Sequence, residues 1–148
     1  MAYFPFFADI KNKKFLVVGG GKTALRKIKT LVGFGCECIV IAPQINEEIY
    51  SLASFAENRN FEEKDLENID FAIAATDDKM LNKKIACLCR NKKIPVNSVT
   101  DLNDCDFVFP AVYRNKDVVV GISTGGKSPF AAAKIRRNIE KALPKNIG

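Results

Sequence analysis

Apolar and polar residues are arranged along this chain in two kinds of block, short runs with strand character and longer segments with helical spacing. The strand-like runs, of which the third is short and charged, lie at residues 15–18, 38–42, 60–64, 71–75 and 95–99. Apolar residues recur every three or four positions at residues 23–31, 46–56 and 79–92. This alternation predicts an α/β fold, a Rossmann-type doubly wound parallel sheet.

The pattern changes after residue 106. Two apolar runs, at residues 107–110 and 118–122, flank a polar stretch and predict a β-hairpin. The next segment predicts a helix over residues 129–143, with Ser128 as N-cap and Pro129 at the first helical position. A strand–helix segment therefore follows the alternating part of the chain.

The first predicted strand runs directly into three glycines. Gly19-x-Gly21-x-x-Ala24 matches the dinucleotide-binding fingerprint, whose third position tolerates alanine. Gly19 permits a sharp turn, Gly21 lets the main chain approach a pyrophosphate, and Ala24 is small enough for the helix to pack against the strand. The free amides at the helix N-terminus would bind the phosphates. The alternative is a simple turn between strand and helix.

Ligands of parallel α/β sheets bind beyond the carboxyl ends of the strands. Three predicted loops lie there, at residues 19–23, 76–78 and 100–104. They carry the carboxylates of Asp77, Asp78, Asp101 and Asp104. Asp101 is our candidate for accepting a proton during an oxidation. The alternatives are that Asp77 or Asp78 caps the following helix and that Asp101 forms an Asx-turn.

The residues after the second predicted strand bear on the choice of cofactor. A dinucleotide site usually carries an acid here for the adenosine ribose, but the chain has Ala42-Pro43-Gln44. No neighbouring arginine or lysine is available for a 2′-phosphate, and Gln44 or main-chain amides can hold the ribose instead. These residues favour NAD over NADP.

Residues 121–128 match the phosphate-loop pattern G-x-x-x-x-G-K-[ST]. We reject a nucleoside triphosphate site because Gly121 continues an apolar strand and no later strand supplies a magnesium-binding aspartate. Pro129 also removes an amide from the first turn of the helix. Lys127 still lies at a helix start that suits an anionic group such as a carboxylate.

The net charge of the chain indicates which class of ligand it binds. With 23 basic and 17 acidic residues the net charge is +6, which suits an anionic ligand. The basic residues are dispersed without interleaved aromatic residues, so we expect no nucleic acid. We see no signal peptide and no apolar run long enough for a membrane span. Five cysteines without any histidine indicate cytoplasmic thiols that pack in the core, and no metal site.

In order and spacing, the motifs resemble the precorrin-2 dehydrogenase module of siroheme synthases. The resemblance covers nearly all of the chain, and its last two motifs are more specific than a glycine fingerprint. The residues that carry it are Val17 to Gly21 with Ala24, Arg26 and Lys27, Ala74 to Asp78, Asn97 to Asp101, Phe107 with Phe109 and Pro110, and Ile122 to Pro129.

Members of that family oxidise precorrin-2 to sirohydrochlorin with NAD, so the resemblance implies NAD and a polycarboxylate tetrapyrrole. Together with the loop after the fourth strand, it gives the cofactor-binding residues as Gly19, Gly20, Gly21, Lys22, Thr23, Pro43, Gln44, Thr76 and Asp77. The expected substrate-binding residues are Arg114, Thr124 and Lys127. By this resemblance the family's important aspartate falls on Thr100, one residue before Asp101. Either Asp101 acts from this shifted position, or proton transfer depends less on this group.

The resemblance also implies a domain organisation and an assembly. We expect an NAD-binding Rossmann domain at residues 1–111 and a dimerisation segment at residues 112–148, with the helical C-terminal domain of the family apparently absent. A homodimer is the expected assembly. Two alternatives stay open: a bifunctional dehydrogenase and ferrochelatase, and a Rossmann-type NAD-sensing regulatory module.

Overall fold

The computed structural model describes residues 3–143 of the chain. These residues belong to two compact units: Asp9–Phe107, and residues 3–8 together with residues 108–143. The outermost ends of the predicted domains, at residues 1–2 and 144–148, lie outside the described residues.

The first unit consists of a five-stranded parallel sheet with helices between the strands. Its elements are β1 (Lys14–Val18), α1 (Lys22–Val32), β2 (Glu37–Ala42), α2 (Glu47–Leu52), β3 (Phe55–Asn58), β4 (Phe71–Ala74), α3 (Lys79–Asn91) and β5 (Val96–Ser98), with short 3-10 helices at Glu63–Leu66 and Leu102–Asp104. The strand order is β3-β2-β1-β4-β5, and all pairs are parallel. The predicted Rossmann-type fold is confirmed.

The core of this unit forms because both faces of the central strands are covered. Leu16 and Val17, on opposite faces of β1, are both fully buried. Ala24 and Ile28 of α1 are also fully buried, and the small Ala24 side chain fits the close packing expected of the fingerprint. Each fully buried leucine or isoleucine side chain contributes about 1.5–3 kcal/mol of transfer free energy. The sheet is therefore a rigid base for the loops at its carboxyl edge.

The third strand is where the sequence prediction was wrong. The helix predicted over residues 46–56 ends at Leu52, and β3 follows at Phe55–Asn58 instead of at residues 60–64. The segment predicted as strand contains part of the 3-10 helix Glu63–Leu66. A short edge strand with exposed side chains, such as β3, has no distinct apolar period, so its position could not be read from the pattern.

The second unit contains an antiparallel hairpin and a helix. The hairpin consists of β6 (Ala111–Asn115) and β7 (Val118–Ile122), and the helix is α4 (Pro129–Ala142). Ser128 caps α4 by accepting from the Ala131 amide, as predicted. The first strand of the hairpin begins at Ala111, after the predicted run at residues 107–110. The connecting turn is only two residues long, since Asn115 pairs with Val118, so the residues directly before the turn belong to the strand.

The outer edge of β5 is bonded to the segment that follows it. Val96 receives a hydrogen bond on its carbonyl from the Asp106 amide at 2.8 Å and donates its own amide to Asp106 Oδ2 at 3.0 Å. Cys105 Sγ accepts from the Ser98 amide at 3.2 Å and lies 3.1 Å from the Ser98 carbonyl oxygen, to which it donates. Residues 105 and 106 thus occupy the place of a further strand.

Candidate functional site

A cavity of about 840 Å³ opens at the carboxyl edge of the parallel sheet. It is bounded by the loops after β1, β2 and β4. All the predicted cofactor residues line it: Gly19, Gly20, Gly21, Lys22, Thr23, Pro43, Gln44, Thr76 and Asp77. The winding of the sheet brings these separate stretches to one place, because the strands are parallel and adjacent.

The glycine turn has a different reason for a glycine at each position. Gly19 has a φ of +127°, and a Cβ there would lie 2.2 Å from the Ala75 carbonyl oxygen. A Cβ on Gly20 would lie 2.2 Å from the Gln44 carbonyl oxygen. Within the described residues, nothing lies within 4 Å of a Cβ built on Gly21, which faces the open cavity. Two glycines therefore serve the fold, and the third keeps space clear.

The loops after β1 and β2 are joined by a main-chain hydrogen bond. The Asn46 amide donates to the Gly20 carbonyl oxygen at 2.9 Å, and the Asn46 side chain caps α2 by accepting from the Glu48 amide. This contact requires the close approach that only a glycine at position 20 allows. It sets the width of the cavity between the glycine turn and the end of β2.

The N-terminus of α1 differs from those of the other helices. Asn46, Asp78 and Ser128 cap α2, α3 and α4 with their side chains. In the described part of the chain, no side chain caps α1, whose N-cap is Gly21. The first amides of a helix have no intrahelical acceptor and carry the positive end of the helix dipole. At α1 they are directed toward the cavity region, where an anionic group can accept from them.

The basic residue nearest to the end of β3 is held by acids. The Arg59 guanidinium contacts both carboxylate oxygens of Asp65, at 2.6 and 2.8 Å, and its Nε lies 2.7 Å from Glu57 Oε2. The neighbouring residues Asn60 and Phe61 line the cavity. The arginine is therefore committed to a fork-like pair with Asp65 rather than directed at a ligand.

The loop after β4 is held by a buried side chain that the sequence analysis did not identify. Asn82, on the first turns of α3, is fully buried and hydrogen-bonded to Thr76. Asp78 is the N-cap of α3 and accepts from the amides of Met80 and Leu81. The capping alternative thus applies to Asp78. Asp77 is exposed on the cavity wall.

Ala42 and Asp78, which the sequence analysis placed at this edge of the sheet, also line the cavity. Other lining residues were missed: Val18, Ile41, Ile45, Asn46, Asn60, Phe61, Ala75, Leu81 and Val99. Asn60 and Phe61 were assigned to a strand that does not exist, so their loop was not recognised. Asn82 had one available signal, because it is a polar residue at a core-facing position of an amphipathic helix.

Asp101 lies outside the residues that line the cavity. It is the N-cap of the 3-10 helix Leu102–Asp104, and its Oδ1 accepts from the Asn103 amide at 2.8 Å. The side chain is exposed. Thr100, the residue before Asp101, places its hydroxyl 3.1 Å from Ser98 Oγ and 3.4 Å from Asn82 Nδ2.

The three predicted substrate residues belong to the second unit. Arg114 is exposed on β6 and Lys127 is exposed just before α4. The Thr124 hydroxyl accepts from the Ser128 amide at 3.1 Å and lies 3.0 Å from the Ser128 carbonyl oxygen, so it holds the turn into α4. Lys127 thus projects from a turn of defined shape.

Within residues 3–143, no three His, Cys, Asp or Glu side chains are grouped as a metal ion would require. No helix in the same range is both long and apolar enough to cross a membrane. All five cysteines are free thiols, and Cys36, Cys38 and Cys89 are buried.

Comparison with known proteins identifies both parts of the chain. A family model described as putative NAD(P)-binding matches residues 6–111, and one described as sirohaem biosynthesis protein central matches residues 120–142. A siroheme synthase of Neisseria meningitidis serogroup C is 35% identical over 154 residues, and one of Methylococcus capsulatus is 38% identical over 152 residues. Each match covers 100% of this chain and 32% of the relative, so the chain spans about a third of those proteins.

A solved structure described as SirC, precorrin-2 dehydrogenase, has a TM-score of 0.79 to this chain at 27% sequence identity. The match covers 97% of this chain and 72% of that one. Sequence, fold and the cavity at the glycine turn agree on a nicotinamide cofactor site. The chain therefore belongs to the family described as putative NAD(P)-binding, and over its whole length it is similar to part of siroheme synthases.

Proposed function

We propose that this chain catalyses the NAD-dependent oxidation of precorrin-2 to sirohydrochlorin, a step of siroheme biosynthesis. The observation that carries the proposal is the cavity at the carboxyl edge of the sheet, which all the predicted cofactor residues line. Relatives described as siroheme synthases and as precorrin-2 dehydrogenase give the substrate class. The experiment below tests cofactor and substrate together.

The chain's own residues fit a dinucleotide. The open space at Gly21 and the uncapped start of α1 suit a pyrophosphate, which would accept from the amides of Lys22 and Thr23. Pro43 and Gln44 would contact the adenosine ribose. Thr76 and Asp77, on another wall of the cavity, would contact a different part of the cofactor. When bound, the nicotinamide supplies the chemistry of hydride acceptance.

We propose NAD rather than NADP as the cofactor. Two features support this choice. The second residue after β2, at the ribose position, is the uncharged Gln44, and the nearby Arg59 is paired with Asp65 and Glu57. A 2′-phosphate needs a positive partner, and Arg59, which is already paired with two carboxylates, would have to give up those contacts.

Asp101 is proposed as the proton acceptor. It follows β5 at the carboxyl edge of the sheet, and its exposed carboxylate leaves proton exchange with solvent possible. Arg114, Thr124 and Lys127 are proposed to bind substrate, since guanidinium and ammonium groups pair with the carboxylates of a tetrapyrrole and a hydroxyl can donate to them. Their role is charge neutralisation and orientation.

The direct test is anaerobic incubation with freshly made precorrin-2 and NAD, in which the product's visible spectrum and NADH absorbance are followed together. Equal formation of both products is expected. Adding ferrous ion afterwards separates a dehydrogenase from an enzyme that also inserts metal. Binding of NAD without turnover would contradict the proposal and favour a regulatory module.

We also propose that residues 1–111 form the NAD-binding domain and that residues 112–148 form a dimerisation segment. An isolated two-stranded hairpin is marginal in water, and Val118, Val119 and Val120 of β7 remain partly exposed within their unit. The exposed Phe130 of α4 adds apolar surface. A homodimer in the cytoplasm is the proposed state, and light scattering coupled to gel filtration would measure the mass.

A further inference from the structure

We infer that Asn82 is a positioning residue of the nicotinamide cofactor site, which ties the loops after β4 and β5 to the helix that connects those strands. This inference rests on the proposed binding of NAD in the cavity. It concerns a residue that does not itself line the cavity.

The amide of Asn82 is fully used. Its Oδ1 accepts from the Thr76 amide at 3.1 Å and from the Thr76 hydroxyl at 2.7 Å. Its Nδ2 donates to the Thr76 carbonyl oxygen at 2.9 Å and to Thr100 Oγ1 at 3.4 Å. A side-chain amide has two acceptor and two donor positions, so all of them are directed at the two loops.

The buried surroundings of Asn82 make these hydrogen bonds costly to break. Asn82 is 0% exposed and shares its face of α3 with Ile85, Ala86 and Cys89, which are also 0% exposed. If this buried amide loses its partners, no water can replace them, and the unpaired polar atoms cost free energy. The loops after β4 and β5 are therefore held in the one arrangement that keeps all four hydrogen bonds of Asn82. The apolar neighbours fix the helix, and the helix fixes Asn82.

The two loops that Asn82 joins both reach the cavity. Thr76 lines it directly, and Thr100 follows the lining residue Val99. Because β4 and β5 are adjacent and parallel, a single side chain on the crossover helix can contact the ends of both. Asn82 holds both main-chain polar groups of Thr76, so its loss would let that wall shift relative to the bound cofactor.

The test compares variants of α3 for NADH affinity and for stability. Asn82→Ala should weaken NADH binding by about ten-fold or more, since a misplaced wall loses roughly one charge-assisted or two neutral hydrogen bonds. The matched control is Ile85→Ala, which removes an equally buried side chain one turn away that has no polar atom to bond Thr76. It should lose comparable stability and bind NADH within about two-fold of the wild type.

Hydrogen exchange gives a second measurement that does not need the cofactor. The Thr76 amide should exchange faster in Asn82→Ala than in Ile85→Ala at equal stability, because only the first loses the acceptor. If Asn82→Ala does not fold, Asn82→Ser introduces no buried charge and keeps one short hydroxyl that cannot replace all four hydrogen bonds, and weaker NADH binding is again expected.

The outcomes separate the inference from the proposed function. Failure of the wild type to bind NADH overturns the cofactor site itself. If the wild type binds and the Asn82 variant loses no more affinity than Ile85→Ala, Asn82 is only a core residue and the inference is overturned. A selective loss of affinity together with faster exchange at Thr76 supports it.

Discussion

Lys27 Nζ on α1 donates to Asn97 Oδ1 on β5 at 2.9 Å, so a helix and a strand far apart in the chain meet through a partly buried ammonium group. Asn97 is itself fixed, because its Nδ2 donates to the Phe107 carbonyl oxygen at 2.9 Å. Burial lowers the pKa of Lys27 from 10.5 to about 8, and the positive charge of Arg26 adds to the effect.

This lowered pKa predicts how stability depends on pH. The unfolded chain keeps the proton on Lys27 until about pH 10.5, whereas the folded protein releases it near pH 8. The unfolded state therefore binds more protons across this window, and the contribution of Lys27 to the free energy of unfolding should rise with pH. Lys27→Met should abolish this contribution, which urea unfolding at several pH values would measure.

The wild type must be compared with Lys27→Met, because buried thiols have the opposite effect on how the free energy of unfolding depends on pH. Burial raises the pKa of Cys38 and Cys89 from 9.0 to about 12, so their contribution to stability falls as the pH rises above 9.0. Both thiols are present in wild type and variant, so subtraction leaves the effect of Lys27 together with the effect of its charge on the Cys105 thiol. Parallel stability curves in this window would contradict the prediction.

The glycine turn offers a pair of substitutions that separate fold from binding. Gly20→Ala should destabilise the protein by several kcal/mol or prevent folding, because its Cβ would lie 2.2 Å from the Gln44 carbonyl oxygen. Gly21→Ala should leave the free energy of unfolding within about 1 kcal/mol, since its φ of −85° suits alanine and its Cβ has open space.

Gly21→Ala should nevertheless weaken NAD binding by about ten-fold or more, because a methyl group would occupy the place of the closest main-chain approach to the pyrophosphate. Thermal unfolding and NADH titration of the same sample measure both effects. Unchanged NADH affinity in a folded Gly21→Ala protein would argue against a pyrophosphate at this turn.

Asp65 should account for part of the acid sensitivity. Hydrogen bonds from Arg59 hold the pKa of Asp65 below its usual range, so the stability from this pair is present above the unfolded pKa of 3.8. It is lost as the pH falls through the lower folded value. Asp65→Asn should cost about 1–3 kcal/mol at neutral pH and should weaken the loss of stability in acid.

A surface carboxylate serves as the control for Asp65. Asp117 is exposed in the hairpin turn, and Asp117→Asn should change the free energy of unfolding by less than about 0.5 kcal/mol. Urea unfolding of both variants at neutral and acidic pH gives the comparison. Equal effects of the two substitutions would show that the Arg59 pair contributes little.

Asp101→Asn tests the proposed proton acceptor without disturbing the local fold. Asparagine caps helices as well as aspartate does, so the contact with the Asn103 amide should remain. Turnover of precorrin-2 should fall by about 10²-fold or more, while NAD affinity stays nearly unchanged. Steady-state kinetics and NADH titration would measure the two effects, and full turnover in the variant would remove Asp101 from the mechanism.

The sequence predicted the sheet and the cavity well because their signals are local. β1, the glycine turn and α1 follow one another, so the fingerprint was enough to locate the turn at residues 19–23. The loop with Thr76 and Asp77 followed from the rule that parallel strands end at one edge. Lys22, Thr23 and Pro43 were assigned to the cofactor only through the family resemblance. The position of β3 was wrong because four half-exposed residues carry no period that separates strand from helix.

The contacts across the fold could not be predicted. Asn82 meets Thr100 only because α3 crosses from β4 to β5 at a particular angle, and nothing in the sequence near Asn82 specifies that partner. Lys27 and Asn97 are separated by 70 positions in the chain. Such pairs depend on the packed sheet, so pattern and motif indicate where the site lies and not what holds it in place.

The bonded outer edge of β5 limits how this chain can aggregate. Exposed strand edges are templates for pairing with another chain. Since Asp106 and Cys105 already occupy the outward-facing groups of Val96 and Ser98, an incoming strand finds no partners on this side of the sheet. Any amyloid-like or domain-swapped growth of the parallel sheet would have to start at β3, and oxidation of the Cys105 thiol would be one way to reopen the protected edge.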